Sequence, residues 1–305
     1  GRCISESGER GYLADLTSKV PEIRGRILAS QNIVLSLGIA IGAPAGGLVV
    51  ERYGPRASFL CVTVAALSSL VLYSFLPETV QQQPQPATTT TTLSGTEPQT
   101  KVRWGELLQE SKWRGLSLFE IGAKFGYAAK IASVPLLAAA VLPGGAAGAG
   151  SLLSAAGLSG LFGAPLGGFL VDKLGAKTTM AVTGTVAAIG LMLVPYSLVL
   201  TNTLTNNNES TSGIPTWACF TGAILLWSTS VASCGPATTA LAQEFAPEGS
   251  EATAMALPRA AGDGVYLFAP FLLGSVADLA NLPLGSECFV AGFCGLLGVV
   301  ALVLL

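Results

Sequence analysis

The stretch Met180–Leu200, MAVTGTVAAIGLMLVPYSLVL, runs for 21 residues without a single Asp, Glu, Lys or Arg. A helix crosses the hydrocarbon layer of a bilayer, about 30 Å thick, with about 20 predominantly apolar residues. Seven further stretches have this length and character: Ile27–Val50, Ala57–Leu76, Leu116–Ala140, Ser151–Val171, Trp217–Leu241, Met255–Val276 and Cys288–Leu305. We therefore predict an all-α membrane protein with about eight transmembrane helices, and the lipid bilayer as its surroundings.

The composition of the chain supports this prediction and excludes several classes of function. Only 11% of the 305 residues are charged, against about 25% in globular proteins. The net charge of −2 offers no basic surface for nucleic acid. The chain has no His, and its six Cys are scattered singly without metal-ligand spacing. We expect no metal, no cofactor and no enzyme active site.

Residues 80–100 have a different composition from the rest of the chain. They contain Gln81–Gln83, the Thr88–Thr92 run and three Pro residues. Such a segment cannot bury enough apolar surface to offset its ordering entropy, so it is predicted to be a flexible linker. Residues 101–114 follow with alternating Trp, Leu, Lys and Arg, typical of either an amphipathic interfacial segment or a solvated loop.

Basic residues are concentrated in alternate joints between the apolar stretches. One set of joints carries Lys19, Arg24, Arg26, Lys101, Arg103, Lys112, Arg114, Lys173, Lys177 and Arg259, whereas the opposite set carries only Arg52 and Arg56. Since an excess of Lys and Arg marks the cytoplasmic side, the linker is predicted to be cytoplasmic. The loop 201–216, with its Asn208-Glu209-Ser210 glycosylation signal, is then expected on the other side.

Two segments that are 121 positions apart read alike. The first is Gly42-Ala43-Pro44-Ala45-Gly46-Gly47 and the second is Gly163-Ala164-Pro165-Leu166-Gly167-Gly168. Each is followed by an acidic residue, a basic residue and a Gly turn. The predicted topology places the two exits on opposite faces, which is the pattern of transporters with inverted repeats.

Together these features resemble the major facilitator superfamily. Gly168, Asp172, Gly175 and Lys177 are similar to the family's cytoplasmic gating motif, although Ala176 stands where an Arg is usual. Gly38, Gly42, Pro44, Gly46 and Gly47 resemble the helix-packing motif of the fifth helix in its antiporters. Tyr12–Asp15 and Leu76–Thr79 resemble the ends of the fourth and sixth helices.

The resemblance also implies a domain organisation. The chain would run from the end of helix four to helix twelve and lack the first three helices. Residues 1–79 would be the remnant of an N-terminal helix bundle, 80–114 a cytoplasmic linker with its lead-in, and 115–305 a C-terminal bundle of six helices.

Ionisable residues inside apolar spans are candidates for function, because charge is costly in lipid. Glu120 and Lys124 lie one helical turn apart on one face and could pair; in the functional interpretation they line a water-filled central cavity, where they bind substrate or couple protons. Lys124 would lie near mid-membrane, about 15 Å past Arg114. Lys130 lies about 120° around the helix from Lys124; in the structural alternative Glu120 and Lys124 are an ion pair and Lys130 extends outward to the interface.

A second charged pair and several aromatic residues complete the candidate site. Arg259 and Asp263 are one turn apart at a cytoplasmic mouth, where they form either a structural pair or a coupling site. Trp227 and Tyr127 are candidate substrate contacts or packing residues, and Ser228 and Ser230 lie beside Trp227.

The resemblance implies a secondary active transporter of a small organic solute by alternating access. Its antiporter-like motif favours proton-coupled export. The alternative is a non-transporting membrane scaffold or a defective carrier fragment.

Overall fold

In the computed structural model of the chain, residues 24–75, 104–206, 217–246, 251–279 and 281–305 are described, and every regular element within them is helical. The helices are α1 (Arg24–Tyr53), α2 (Pro55–Tyr73), α3 (Trp104–Leu107), α4 (Ser111–Ala132), α5 (Val134–Val141), α6 (Ala146–Leu174), α7 (Ala176–Asn206), α8 (Trp217–Phe245), α9 (Glu251–Asp263), α10 (Ala269–Ala277) and α11 (Ser286–Leu304), with a 3-10 turn at Gly264–Leu267. The Tyr12–Asp15 motif, the Leu76–Thr79 motif, the linker 80–100 and the glycosylation signal at Asn208 lie outside the described residues.

The described helices confirm the prediction of an all-α protein with several membrane spans. Five of them (α2, α6, α7, α8 and α11) are long and apolar enough to cross a bilayer. Two bent pairs raise this number to seven if each pair is one span. The predicted span Ile27–Val50 lies within the 30-residue helix α1.

Two predicted spans are broken helices. Leu116–Ala140 folds as α4 and α5, which meet at 44°, and Met255–Val276 folds as α9, the 3-10 turn and α10, with a bend of 42°. Pro135 and Pro270 lie in the first turns of α5 and α10. A proline has no N–H to donate to the carbonyl four residues earlier, and its ring clashes with that carbonyl. Each break therefore coincides with a proline that starts the second segment.

The internal repeat is visible in the backbone. Gly54 ends α1 with φ 79° and ψ 172°, and Gly175, 121 positions later, ends α6 with φ 84° and ψ 160°. The amide of each glycine donates to the carbonyl four residues before it, at 2.9 Å in both cases. Positive φ favours glycine at these two turns. The two copies thus share both sequence and conformation.

The helices that carry the two copies pack against each other in antiparallel orientation. Gly47 of α1 lies against Ala146 of α6, and Gly150 lies against Ala43 and Pro44. Farther along, the Ser154 hydroxyl donates to the Ala40 carbonyl. Successively later residues of α6 therefore contact successively earlier residues of α1. The two copies of the repeat thus lie in opposite orientations, as the inverted-repeat prediction requires.

Small residues also bring α6 and α8 into backbone contact. A Cβ added to Gly163 would lie 2.6 Å from the Thr229 carbonyl oxygen, and one added to Gly167 would overlap the Ser233 carbonyl. The Ser228 hydroxyl donates to the Ala156 carbonyl at 2.7 Å. Close helix approach through small residues, with hydrogen bonds across the seam, is how membrane helices associate without a hydrophobic driving force.

We expect Gly167→Ala to lower the free energy of unfolding by about 1–3 kcal/mol, because the new methyl group has no room against Ser233. The neighbouring substitution Gly168→Ala is the matched control. A Cβ there meets no described atom within 4 Å, so helix propensity alone applies and stability is unchanged or higher. Thermal unfolding of both purified variants in detergent makes the comparison, and equal midpoints would contradict the packing described here.

Apolar side chains cover the outside of the bundle. α2 has no buried residue, and large side chains such as Phe59, Phe162, Leu136 and Phe271 are more than 70% exposed. A soluble monomer rarely exposes apolar surface on this scale. In the lead-in, Trp113 and Leu107 are buried in the bundle rather than placed at an interface, while Trp104 and Leu108 are exposed.

Candidate functional site

A cavity lies between α4, α7, α8 and α11. Its volume is about 130 Å³, and it is partly open to the surroundings. Its wall consists mainly of small apolar residues and carries one carboxylate (Glu120), one ammonium (Lys124) and three large aromatic side chains (Phe119, Tyr127 and Trp227). A largely apolar concave wall with a few polar groups is typical of small-molecule sites. The structure therefore brings four of the six predicted substrate or coupling residues to one cavity.

Glycines set the spacing of the helices around this cavity. A Cβ on Gly122 of α4 would lie 2.5 Å from the Cys294 carbonyl oxygen of α11. A Cβ on Gly190 of α7 would lie 2.9 Å from the Trp227 backbone nitrogen. The backbones of α4 and α11, and those of α7 and α8, are therefore in contact at these glycines. These contacts fix the distances between the helices and so the width of the cavity.

Three charged side chains form a cluster beside the cavity. The Lys124 Nζ lies 3.1 Å from Oδ1 of Asp263, and the Arg259 Nε lies 3.8 Å from Oδ2 of the same carboxylate. Lys124 and Asp263 are 19% and 28% exposed. The i,i+4 spacing of Arg259 and Asp263 predicted their contact, whereas the predicted pairing of Lys124 with Glu120 is replaced by a pairing with Asp263 from another helix.

Gly262 makes this pairing between helices possible. A Cβ at this position would lie 3.0 Å from Cγ of Lys124 and 3.3 Å from the Glu120 carbonyl oxygen. Only a glycine lets the end of α9 approach α4 so closely. Asp263 is the next residue and the last of α9, so the break after it ends the helix at the point where its carboxylate meets Lys124.

Glu120 lies one turn before Lys124 on α4, in the cavity wall. Within the part of the chain that the structure describes, it has no ion-pair partner, although Lys124, Asp263 and Arg259 all act on it electrostatically. Cys234 of α8 also interacts with it electrostatically. The Glu120 carboxylate therefore has charged side chains nearby but forms an ion pair with none of those that the structure describes.

Tyr127 and Trp227 form an aromatic pair in the cavity wall. Their ring centroids are 5.8 Å apart at an interplanar angle of 74°, an edge-to-face contact. Trp227 is only 2% exposed and is held between Gly126 and Gly190. Both residues thus line the cavity and pack in the core, so the two alternatives left open by the sequence are not exclusive.

Lys130 does not extend outward to the interface, as the structural alternative expected. Its Nζ lies 5.5 Å from the ring centroid of Trp227, on the inner side of the bundle. The helical angle between Lys124 and Lys130 is large, yet both reach the same aromatic pair, since the Lys124 Nζ lies 5.6 Å from the Tyr127 centroid.

The predicted gating residues lie at the turn between α6 and α7. Gly175 provides the positive φ of that turn, and Asp172 is exposed. The Lys177 Nζ donates to the Val303 carbonyl of α11 at 3.5 Å. A Cβ on Gly168 would meet no described atom within 4 Å. Among the described residues this motif therefore contacts its own bundle, and Asp172 takes part in no ion pair.

The predicted helix-packing residues divide into two groups. Gly47 and Pro44 lie at the contact between α1 and α6. A Cβ on Gly38, Gly42 or Gly46 would meet no described atom within 4 Å. The close-packing role predicted for those three glycines is therefore not seen within the described ranges.

Sequence reasoning missed several residues of the cavity. Gly122 and Gly126 line it from α4, and Gly292 and Gly295 line it from α11. The signal was present, because glycines repeat at i,i+4 and i,i+3 in these spans. Tyr266 was also missed, and its ring centroid lies 5.7 Å from the Lys124 Nζ.

Two comparisons with known proteins bear on this site. The family model described as Major Facilitator Superfamily matches residues 8–270, which includes α1 to α9 and every cavity helix except α11. A search of curated proteins finds no match to the chain.

Proposed function

The chain belongs to the major facilitator superfamily, and from this premise we propose that it is a secondary active transporter that carries a small organic solute by alternating access. It is an integral multi-pass membrane protein and a membrane transporter in the general sense of its family, whose members are typically transporters rather than enzymes. What we propose beyond the family is the class of solute, coupling to an ion and transport by alternating access.

The observation that carries the proposal is a cavity within the helices that holds ionisable groups. Charges inside a membrane span are expensive and mark solute or ion pathways. Here Lys124, Asp263 and Glu120 meet at the cavity, beside the aromatic pair of Tyr127 and Trp227. In this proposal the residues after the linker form one bundle, α1 and α2 belong to the other, and the two bundles rock against each other during transport.

The breaks in α4–α5 and α9–α10 support this role for the cavity. Discontinuous helices at membrane depth free backbone groups that only a polar cavity or protein can satisfy. Lys124 and Asp263 lie on the two broken spans. Movement at either break would alter the contact between them.

Uptake into proteoliposomes that hold the purified chain tests the proposal. We expect at least one member of a panel of small organic solutes to accumulate inside, with saturation and with dependence on an imposed pH gradient. Empty liposomes are the control. If no member enters faster than into empty liposomes under any gradient, the chain is a non-transporting membrane protein and the proposal is wrong.

We further propose that Glu120 is the proton carrier of the transport cycle. Asp263 is already shared by Lys124 and Arg259, whereas Glu120 faces Lys124, Asp263, Arg259 and Cys234 without an ion-pair partner among the described residues. Gaining or losing one proton there changes the charge of the cavity wall without breaking an ion pair.

We expect Glu120→Gln to abolish accumulation driven by a pH gradient while solute still equilibrates down its own gradient, because an amide cannot carry the proton. Glu106→Gln, at an exposed glutamate outside the cavity, is the matched control and retains both activities. Uptake is measured with and without the pH gradient. Full gradient-driven accumulation by Glu120→Gln would assign proton coupling to another residue.

A further inference from the structure

Among the residues that the structure describes, the charged side chains around the cavity include one more cation than anions. Glu120 and Asp263 offset Lys124 and Arg259 when all four side chains are ionised. Lys130 is not itself a lining residue, but it contacts the cavity-lining Trp227 and adds a fifth charge. Lys130 takes part in no ion pair and no side-chain hydrogen bond within the described residues; its ammonium lies over the face of the Trp227 ring. The excess positive charge therefore lies at the aromatic wall.

This position is unusual for a lysine in an apolar span. A lysine near a helix end normally extends its ammonium to the interface and leaves the bundle. Lys130 instead points to Trp227, which is 2% exposed and lies in the bundle core. A cation–π contact offsets only part of the cost of an ammonium at membrane depth. An anionic partner that arrives with the solute would offset the rest.

The two lysines stand at the two ends of the aromatic pair. The Lys124 Nζ lies 5.6 Å from the Tyr127 ring, the Tyr127 and Trp227 centroids are 5.8 Å apart, and the Lys130 Nζ lies 5.5 Å from Trp227. Lys124 is neutralised by Asp263 at 3.1 Å. Of the two ammonium groups, Lys130 is therefore the one available to an anion.

We propose that the transported solute is a small organic monoanion of the carboxylate type, and that Lys130 binds its carboxylate beside the cavity wall formed by Tyr127 and Trp227. This inference rests on the proposed transport function and adds the class of substrate. The ammonium donates to the carboxylate, and the organic part of the solute lies in the largely apolar cavity. Neutral and cationic solutes of the same size do not neutralise Lys130 and bind weakly.

The test uses a panel of monocarboxylates from lactate to benzoate, each paired with its neutral amide. Binding to the purified chain is measured as a rise in thermal midpoint, and uptake is measured in proteoliposomes. We expect at least one carboxylate to bind at least tenfold more tightly than its amide. Lys130→Gln abolishes this preference, Lys130→Arg restores it, and Lys112→Gln, at an exposed lysine outside the cavity, retains it.

A readout without solute separates recognition from a structural role. If Lys130 only supported the fold, Lys130→Gln would lower the thermal midpoint of the solute-free chain; we expect that midpoint to be unchanged or higher. Amides that bind as tightly as carboxylates, or a preference that survives Lys130→Gln, would overturn the inference while leaving transport intact. Carboxylate binding that depends on Lys130, with no uptake of any solute, would support the inference and refute the proposed function.

Discussion

Replacing Asp263 with Asn is expected to abolish solute uptake and to lower the free energy of unfolding by about 3 kcal/mol, the lower end of the range for breaking a buried ion pair. Asn retains the shape of the side chain but removes the negative charge that faces Lys124 at 3.1 Å and Arg259 at 3.8 Å. The lower end applies because about a fifth of Lys124 and a quarter of Asp263 remain exposed. Uptake is lost because the ion pair between Lys124 and Asp263, which joins the two broken spans, can no longer form.

The matched control is Glu110→Gln. Glu110 and Lys112 form an ion pair at 3.0 Å, but both side chains are about half exposed. Such surface pairs contribute about 0–1 kcal/mol, so this variant should unfold like the parent chain. Thermal or denaturant unfolding in detergent compares the two. If Asp263→Asn were no more destabilising than Glu110→Gln, the Lys124–Asp263 pair would not be the buried contact described here.

A double variant shows whether the unpaired charge that destabilises Asp263→Asn is also the cause of its loss of transport. In Lys124→Met with Asp263→Asn, neither member of the pair is charged, so part of the lost stability should return. Transport should not return, because the contact that couples the two broken spans is still missing. Recovery of both properties would indicate that the pair is only structural.

The sequence predicts the spans well because their signal is local. Length and hydropathy locate α2, α6, α7, α8 and α11 without knowledge of any contact between helices. The 121-residue repeat was also readable, and it predicted the opposite orientations of α1 and α6. The turn at Gly54 and its counterpart at Gly175 follow from the same residue type in the same sequence context.

The breaks in two spans were less predictable, because proline alone does not determine them. Pro135 and Pro270 start new segments. Pro44, Pro165, Pro195, Pro236 and Pro258 lie within helices that continue through them. α8, for example, continues through Pro236 to Phe245. Whether a proline breaks a helix depends on neighbours that a linear pattern does not contain.

The partners of the charged residues could not be predicted for the same reason. Helical spacing gives neighbours at i+3 and i+4, so it found Arg259 with Asp263 and suggested Glu120 with Lys124. The contact of Lys124 with Asp263 depends on Gly262, which lets α9 approach α4. The inward direction of Lys130 depends on Trp227 of α8. Both are properties of packing between helices that are distant in sequence.

The second large effect is expected from filling the cavity. Gly235 of α8 lines the cavity, and a Cβ added there meets no described atom within 4 Å. A leucine at this position therefore projects into the empty space without displacing a neighbouring helix. We expect Gly235→Leu to reduce uptake at least tenfold by excluding the solute. Its stability should be unchanged or higher, because leucine has the better helix propensity by about 1 kcal/mol.

Gly222→Leu is the matched control for this substitution. Gly222 lies on the same helix, and a Cβ there likewise meets no described atom within 4 Å, but this residue does not line the cavity. The two variants add the same side chain to α8, so a difference between them reports the cavity alone. Thermal unfolding in detergent should give both variants midpoints at or above that of the parent chain.

The most direct test of the cavity as the solute pathway is the initial uptake rate of Gly235→Leu and Gly222→Leu in proteoliposomes with equal amounts of folded protein, measured with the best-transported member of the panel. We predict a rate for Gly235→Leu at least tenfold below that of the parent chain and a parental rate for Gly222→Leu. Equal, undiminished rates for both variants would contradict the central claim, because a solute that passes a filled cavity at full speed travels by another route.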